Sequence, residues 1–274
     1  MKDKKPNKTA KTIERDTTTG LLWAIKDSWI LTARSIKHIT RSLDQLISVA
    51  LFPIMFLLQF RYVFGGAINT GDVSYVNFLV AGILVQLLAF GANYTTINLA
   101  IDLQQGVVDR FRSLPMARSG LLVGYVTADL VRNTISGVIT LVVSFLVGFR
   151  PNATLTEWLL VIALGVVFSL AISWLSAILG LMVKTLEAAQ WVGFILIFPL
   201  TFISSAFVPT ETMPKVLRVF AENQPLTHVI EAMRAWLVGT PIGNSGILAF
   251  VWCIGLIVVA APLATWMFGQ KGKA

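Results

Sequence analysis

The chain is poor in the side chains that carry covalent chemistry. It has one cysteine, Cys253, and two histidines, His38 and His228, which excludes an intrachain disulfide and a cysteine metal cluster. Neither histidine has a catalytic partner at a meaningful spacing, and the nucleophile elbow G-x-S-x-G does not occur. An enzyme active site is therefore not expected. The phosphate-binding pattern G-x-x-x-x-G-K-[ST] is also missing, since GQKGK near the C-terminus is only a basic tail, so the chain cannot bind ATP by a P-loop. No internal repeat is evident, which argues against the inverted-repeat plan of many secondary transporters. Charge is scarce too: 13% of residues are Asp, Glu, Lys or Arg, against about a quarter in soluble domains.

What fills the chain instead is apolar. Hydrophobic residues make up 55% and the mean hydropathy is +0.75, the composition of a polytopic membrane protein. The net charge of +8 would point to nucleic acid in a soluble protein. Here much of the positive charge falls in short segments between apolar runs, where it fixes orientation, so no nucleic-acid partner is expected.

Residues 1–19 are rich in Lys and Thr without apolar periodicity and are expected to form a disordered cytoplasmic tail. No cleavable signal peptide is expected, because the first apolar run begins only near Asp44 and is of spanning length. Between them, over 20–41, Leu22, Ile25, Trp29, Ala33 and Ile36 share one helical side, and Lys26, Asp27, Arg34, Lys37 and Arg41 the other. That pattern predicts an amphipathic helix lying in the membrane interface.

Residues 42–274 read as one all-α domain of six transmembrane helices, near 44–64, 76–100, 120–148, 158–183, 188–208 and 247–268, with both termini in the cytoplasm. In the second run Gln86, Asn93 and Thr96 fall with Phe90 on one stripe, which must face protein or a wet path. Asp129 and Arg132, three apart in the third, can pair as a structural ion pair. In the fifth, Phe194, Phe198 and Phe202 recur every four residues with Ser205 beyond them, a stripe that either packs or lines a path. Residues 209–244 form the longest outer segment, in which Pro209, Pro214 and Pro225 delimit pieces too short to span. Helices over 214–222 and 226–238 are expected to dip into the outer leaflet as re-entrant elements, with Glu231 and Arg234 able to pair.

The loop at 101–119 is the one long polar interruption with clustered positive charge, Arg110, Arg112 and Arg118. It belongs on the cytoplasmic side. Its interior suits a short two-faced helix, with Asp109 in the first turn, Phe111 and Leu114 on an apolar edge and Pro115 limiting its length. Such a helix offers a partner an apolar knob and salt-bridge donors; a solvated loop that only sets topology is the other reading of the same residues.

Four stretches, Arg61–Ile68 (RYVFGGAI), Gly106–Arg118 (GVVDRFRSLPMAR), Pro199–Pro214 (PLTFISSAFVPTETMP) and Asn223–Arg234 (NQPLTHVIEAMR), together resemble the permease subunits of type-2 ABC exporters, particularly the daunorubicin-resistance and multidrug efflux branch. The resemblance covers nearly the whole chain after residue 20. It implies a non-catalytic subunit of the prokaryotic cell membrane that exports amphipathic drugs. Such a subunit works with a second permease, identical or not, and with two separately encoded ATP-binding subunits, which hold the ATP and Mg; no cofactor is implied in this chain. It further implies that Asp109, Arg110, Phe111, Arg112, Leu114 and Pro115 couple to the ATPase, and that spans two and five line the route, which places Gln86, Phe90, Asn93, Phe198, Phe202 and Ser205 on the substrate path. Export of a lipid or lipid-linked glycan is an alternative cargo. An ion-coupled carrier, with Asp102, Asp129 and Glu187 as proton sites, is an alternative mechanism.

Overall fold

A computed structural model describes residues 43–68, 70, 71, 73–106 and 120–270, with side chains from Leu51 onward. The expected tail at 1–19, the interface helix at 20–41 and the coupling residues Asp109 to Pro115 lie outside the described residues. Those described form eight α-helices and no strand: α1 Leu43–Gln59, α2 Tyr75–Gln104, α3 Gly120–Val147, α4 Leu155–Met182, α5 Leu186–Phe202, α6 Lys215–Asn223, α7 Pro225–Val238 and α8 Ser245–Gln270. Local chemistry sets several boundaries. Thr154 and Glu157 form a reciprocal capping box that opens α4, and the Thr185 hydroxyl accepts from the Ala188 amide to open α5. At the other end of α7, Gly239 adopts the left-handed conformation, φ 81°, that closes a helix and suits glycine.

Four helices, α2, α3, α4 and α8, are long and apolar enough to cross a bilayer. The expectation of six spans meets two shorter ones in α1 and α5. Each has 17 residues, which at ~1.5 Å per residue is somewhat less than a hydrocarbon core of about 30 Å. α5 contains Pro199 and ends at Phe202 rather than running to 208: the Ile203 amide donates to Pro199 O, and the Ile203 backbone, φ −92° and ψ 54°, has already left the helix. α1 contains Pro53 and continues through a π-helical turn, Phe60–Phe64, which lengthens its reach.

α2 is the hub. It packs against α4, α3, α5, α7 and α1, while α8 lies against α4 and α7. The main core gathers around α2, with Leu79, Ile83, Phe168, Ile230 and Met233 fully buried. A second, smaller core, including Leu99, Leu122, Leu181 and Phe268, closes the end of the bundle where α2 finishes and α3 begins.

α7 is tied down by polar side chains that serve main-chain carbonyls. The irregular segment after α5 leaves carbonyls without helical donors, and a buried carbonyl needs one. Gln224 Nε2 donates to Leu200 O at 2.9 Å and also to Ile203 O. Arg234 Nε donates to Phe78 O at 3.0 Å and Nη2 to Ser205 O, with the guanidinium 3.6 Å from the centre of the Phe78 ring. Arg234 therefore serves these carbonyls rather than pairing with Glu231 as expected, and Glu231 instead accepts from Ser245 Oγ at 2.9 Å on α8.

Candidate functional site

Two faces of α2 differ in chemistry. One, carrying Gly82, Gln86, Phe90 and Asn93, turns toward α5 and the segment after it. A Cβ on Gly82 would run into the Ala206 backbone, and one on Gly193 of α5 would strike the Asn93 carboxamide. These contacts place the helices close together. Phe90 lies 5.5 Å from Phe52 of α1 and 5.8 Å from Phe194 of α5, ring centre to ring centre.

From Phe90 two ladders of rings run away from the loop end. On α5, Phe194, Phe198 and Phe202 follow one another at 4.9 and 4.4 Å, and Phe207 continues the series at 4.9 Å. On α1, Phe52, Phe56, Phe60 and Phe64 do the same at 4.6, 6.0 and 5.1 Å. The ladders meet where Phe56 lies 6.0 Å from Phe202 and Phe60 stacks 4.4 Å from Phe207. Beside Phe90 an apolar cavity of about 180 Å³ opens between α1 and α5, walled by Phe52, Tyr94 and Phe194 with Pro53 and Gly91. A cavity of about 150 Å³ is enough to take up benzene, so this cleft has room for one aromatic ring.

Of the six residues placed on a substrate path, Phe90 lines this cavity, and Phe198 and Phe202 are half-buried in the ladder that leads from it. Asn93 is half-buried against Gly193, its Oδ1 without a hydrogen-bond partner. Gln86 and Ser205 are sealed: Gln86 is 0% exposed with neither amide atom bonded, and Ser205 Oγ is likewise without a partner. The sequence reading missed the α1 ladder, although Phe52, Phe56, Phe60 and Phe64 have the same four-residue spacing as those on α5.

The other face of α2 is polar. Arg132 Nη1 and Asp129 Oδ1 of α3 form the expected ion pair at 2.6 Å, with side chains only 3% and 1% exposed. Thr95 of α2 donates to Asp129 Oδ2, and Ser173 of α4 donates to the same oxygen at 3.3 Å. One turn on, Asn133 Nδ2 donates to Leu88 O at 3.2 Å and to Ser169 Oγ at 2.9 Å. The Arg132 guanidinium lies 4.6 Å from the centre of the Tyr94 ring, the same ring that walls the cavity, a cation–π contact. Close to the loop, Tyr125 Oη donates to Asp102 Oδ2. Chemically the region is an aromatic cleft that offers apolar contact area, backed by a charge-paired seam.

Residues 27–238 match the ABC-2 type transporter family. The chain is 32% identical over 229 residues to the daunorubicin resistance ABC transporter permease protein DrrB1 of Streptomyces coeruleorubidus, covering 83% of this chain and 80% of that one. It is 27% identical to the probable doxorubicin resistance ABC transporter permease protein DrrC of Mycobacterium tuberculosis, over 88% and 87% of the two chains. Nodulation protein J of Rhizobium leguminosarum bv. viciae is 27% identical over 75% and 80%.

Proposed function

The chain belongs to the ABC-2 type transporter family, and from that premise we propose that it is the permease subunit of an ATP-driven exporter of amphipathic drugs. It is a multi-pass membrane protein with four helices of spanning length, and membership of the family implies an ATP-binding partner and a permease dimer. The observation that carries the drug reading is the aromatic cleft at Phe90 with its ring ladders. Stacked rings present large apolar area without demanding one hydrogen-bond pattern, which suits cargo that is flat and varied. Two of the relatives carry daunorubicin or doxorubicin resistance in their names.

In this reading two permeases and two ATP-binding subunits make the working unit, and the partner subunits bind ATP and Mg. The loop end of the bundle faces the cytoplasm, together with both termini, because the sequence carries Lys184 directly after α4, Lys271 and Lys273 directly after α8 and three arginines between α2 and α3. α1, extended by its π-helical turn, and α5 complete six crossings. α6 and α7 re-enter the outer leaflet, where α6 exposes Val216, Val219 and Phe220 and keeps Arg218 bonded to Glu222 at 2.7 Å. Closure of the ATPases pushes Asp109 to Pro115, the permease pair changes from inward- to outward-facing, and cargo moves along Phe90, Asn93, Phe198 and Phe202. Gln86 and Ser205 join the path once α5 moves away from α2.

The test is reconstitution into liposomes with and without the ATP-binding subunit. Daunorubicin should cross only when both subunits and ATP are present. Movement by the permease alone under a proton gradient would establish a carrier and end the proposal. For the path, Phe198→Ala or Phe202→Ala should weaken daunorubicin binding by about 1–3 kcal/mol each, from lost apolar area. Phe56→Ala should do the same, and equilibrium binding by fluorescence quenching checks all three. Unchanged binding in correctly assembled variants would mark the ladders as packing only.

A further inference from the structure

The hydrogen bonds between helices are unevenly distributed. α2, α3 and α4 are fastened to one another at successive levels: Asp102 to Tyr125, Thr95 and Ser173 to Asp129, Thr96 Oγ1 to Ser176 O at 2.8 Å, and Asn133 to Leu88 O and Ser169 Oγ. Close approach accompanies the bonds, since a Cβ on Gly91 would collide with the Asn133 carboxamide and one on Gly180 would lie 3.0 Å from Thr96 O. Asp129 is the node, the one carboxylate here that takes bonds from all three helices. It lies nine residues into α3, ~14 Å from the start of that helix.

α5 is held differently. Its far end is tied by Gln224 to Leu200 O and Ile203 O, whereas at the near end Gln104 Nε2 donates at 3.3 Å to Lys184 O in the link from α4 and not to α5 itself. Between them, among the described residues, its side-chain hydrogen bonds stay within the helix and its cap. It meets α2 there through the Phe90–Phe194 ring contact and the Asn93–Gly193 approach. Apolar contacts can re-form after a small slide, whereas a buried ion pair that loses its partners cannot be left open at low cost.

We infer that Asp129 is a positioning residue that makes α2, α3 and α4 one lever, whose α2 and α3 ends residues 105–119 join, so that displacement of this loop enters the membrane through all three helices together while α5 moves against them. This rests on the coupling role proposed for the loop. The Arg132 guanidinium over Tyr94 then connects the lever directly to a wall of the aromatic cleft.

The experiment measures distances between spin labels on cysteines introduced at Gln105, Met182 and Ala188. It uses a Cys253→Ser background, with the labelled chain diluted into unlabelled chain and assembled with its ATPase in lipid nanodiscs. Nucleotide-free and ATP–vanadate-trapped complexes are compared. In the parent the 105–182 distance should stay within about 1 Å while the 105–188 distance shifts by more than about 2 Å, the scale of a helix shift. In Asp129→Asn the 105–182 distance should become nucleotide-dependent. Thr95→Val and Ser173→Ala, which each cut one bond and keep the ion pair, should do so to a lesser degree and serve if Asp129→Asn does not fold. A parent in which 105–182 moves as far as 105–188, or variants in which it stays fixed, would overturn the lever while leaving the coupling role standing. Two distances that both ignore nucleotide would remove the coupling role and the lever with it.

Discussion

Asp129→Leu is expected to destabilise the folded protein by about 3–5 kcal/mol, the cost of leaving a buried partner charge uncompensated. Arg132 is 2% exposed, and its Nη1 bond goes to the carboxylate that the substitution removes. Thr95 and Ser173 lose their acceptor in the same step. The Tyr94 ring still faces the guanidinium, but a cation–π contact contributes only about 0.5–2 kcal/mol and cannot replace the pair. Removing both charges in Asp129→Leu/Arg132→Met should recover most of the loss, because burying two apolar side chains of similar size is often neutral relative to a buried ion pair. Denaturant unfolding of the purified protein in mixed micelles measures both. A single variant within about 1 kcal/mol of the parent would mean that Arg132 finds another partner, and the seam would then not depend on Asp129.

The same residues show what a membrane sequence discloses. Over its apolar 18-residue stretch α8 has mean hydropathy 2.6 against 1.9 for α2, yet 22% of that stretch is buried against 83% in α2. In lipid, apolarity does not drive a helix inward, since the tails are as apolar as leucine. Polar residues do the sorting: Gln86, Asn93 and Thr96 mark α2 as the helix that cannot face lipid, and this much was legible from the stripe on its sequence. The Asp129–Arg132 pair was legible as well, from its spacing alone. Its bonds to Thr95 and Ser173 were not, because they depend on how α2 and α4 are placed around α3.

Other features were set by competition that spacing does not display. Glu231 and Arg234 have the right separation to pair, but the segment after α5 leaves the Ser205 carbonyl outside any helix, and the guanidinium reaches it and the Phe78 carbonyl instead. The shortness of α5 was not legible, because the apolar run continues to Val208 and concealed the irregular turn after Phe202. On α1 the phenylalanines at 52, 56, 60 and 64 stand among Leu, Ile and Met, so their periodicity did not stand out until Phe202 and Phe207 were found beside them. Residues 107–119 lie outside the described residues, and the coupling role proposed for them comes from sequence chemistry and from the family to which the chain belongs.

For that loop the expected result is a permease that inserts and folds but no longer answers to ATP. Phe111 is the large apolar side chain of a short segment otherwise rich in arginine. If it seats in a dry groove of the ATP-binding subunit, Phe111→Ala removes about 3 kcal/mol of contact, a factor of roughly 150 in the affinity between the subunits. Arg112→Glu replaces a salt-bridge donor with a like charge for any acidic partner and should add repulsion to the loss. Neither change disturbs insertion, since Arg110, Arg118 and the lysines at both ends still satisfy the orientation rule. Each variant should therefore reach the membrane at parental levels, lose the ATPase during purification, and show little drug-stimulated ATP hydrolysis in liposomes. A loop that only sets topology predicts a different pattern, in which Phe111→Ala is silent because no charge has changed. Parental export together with full retention of the ATPase by Phe111→Ala would leave residues 106–119 as a basic loop and move the coupling contact elsewhere on the cytoplasmic face.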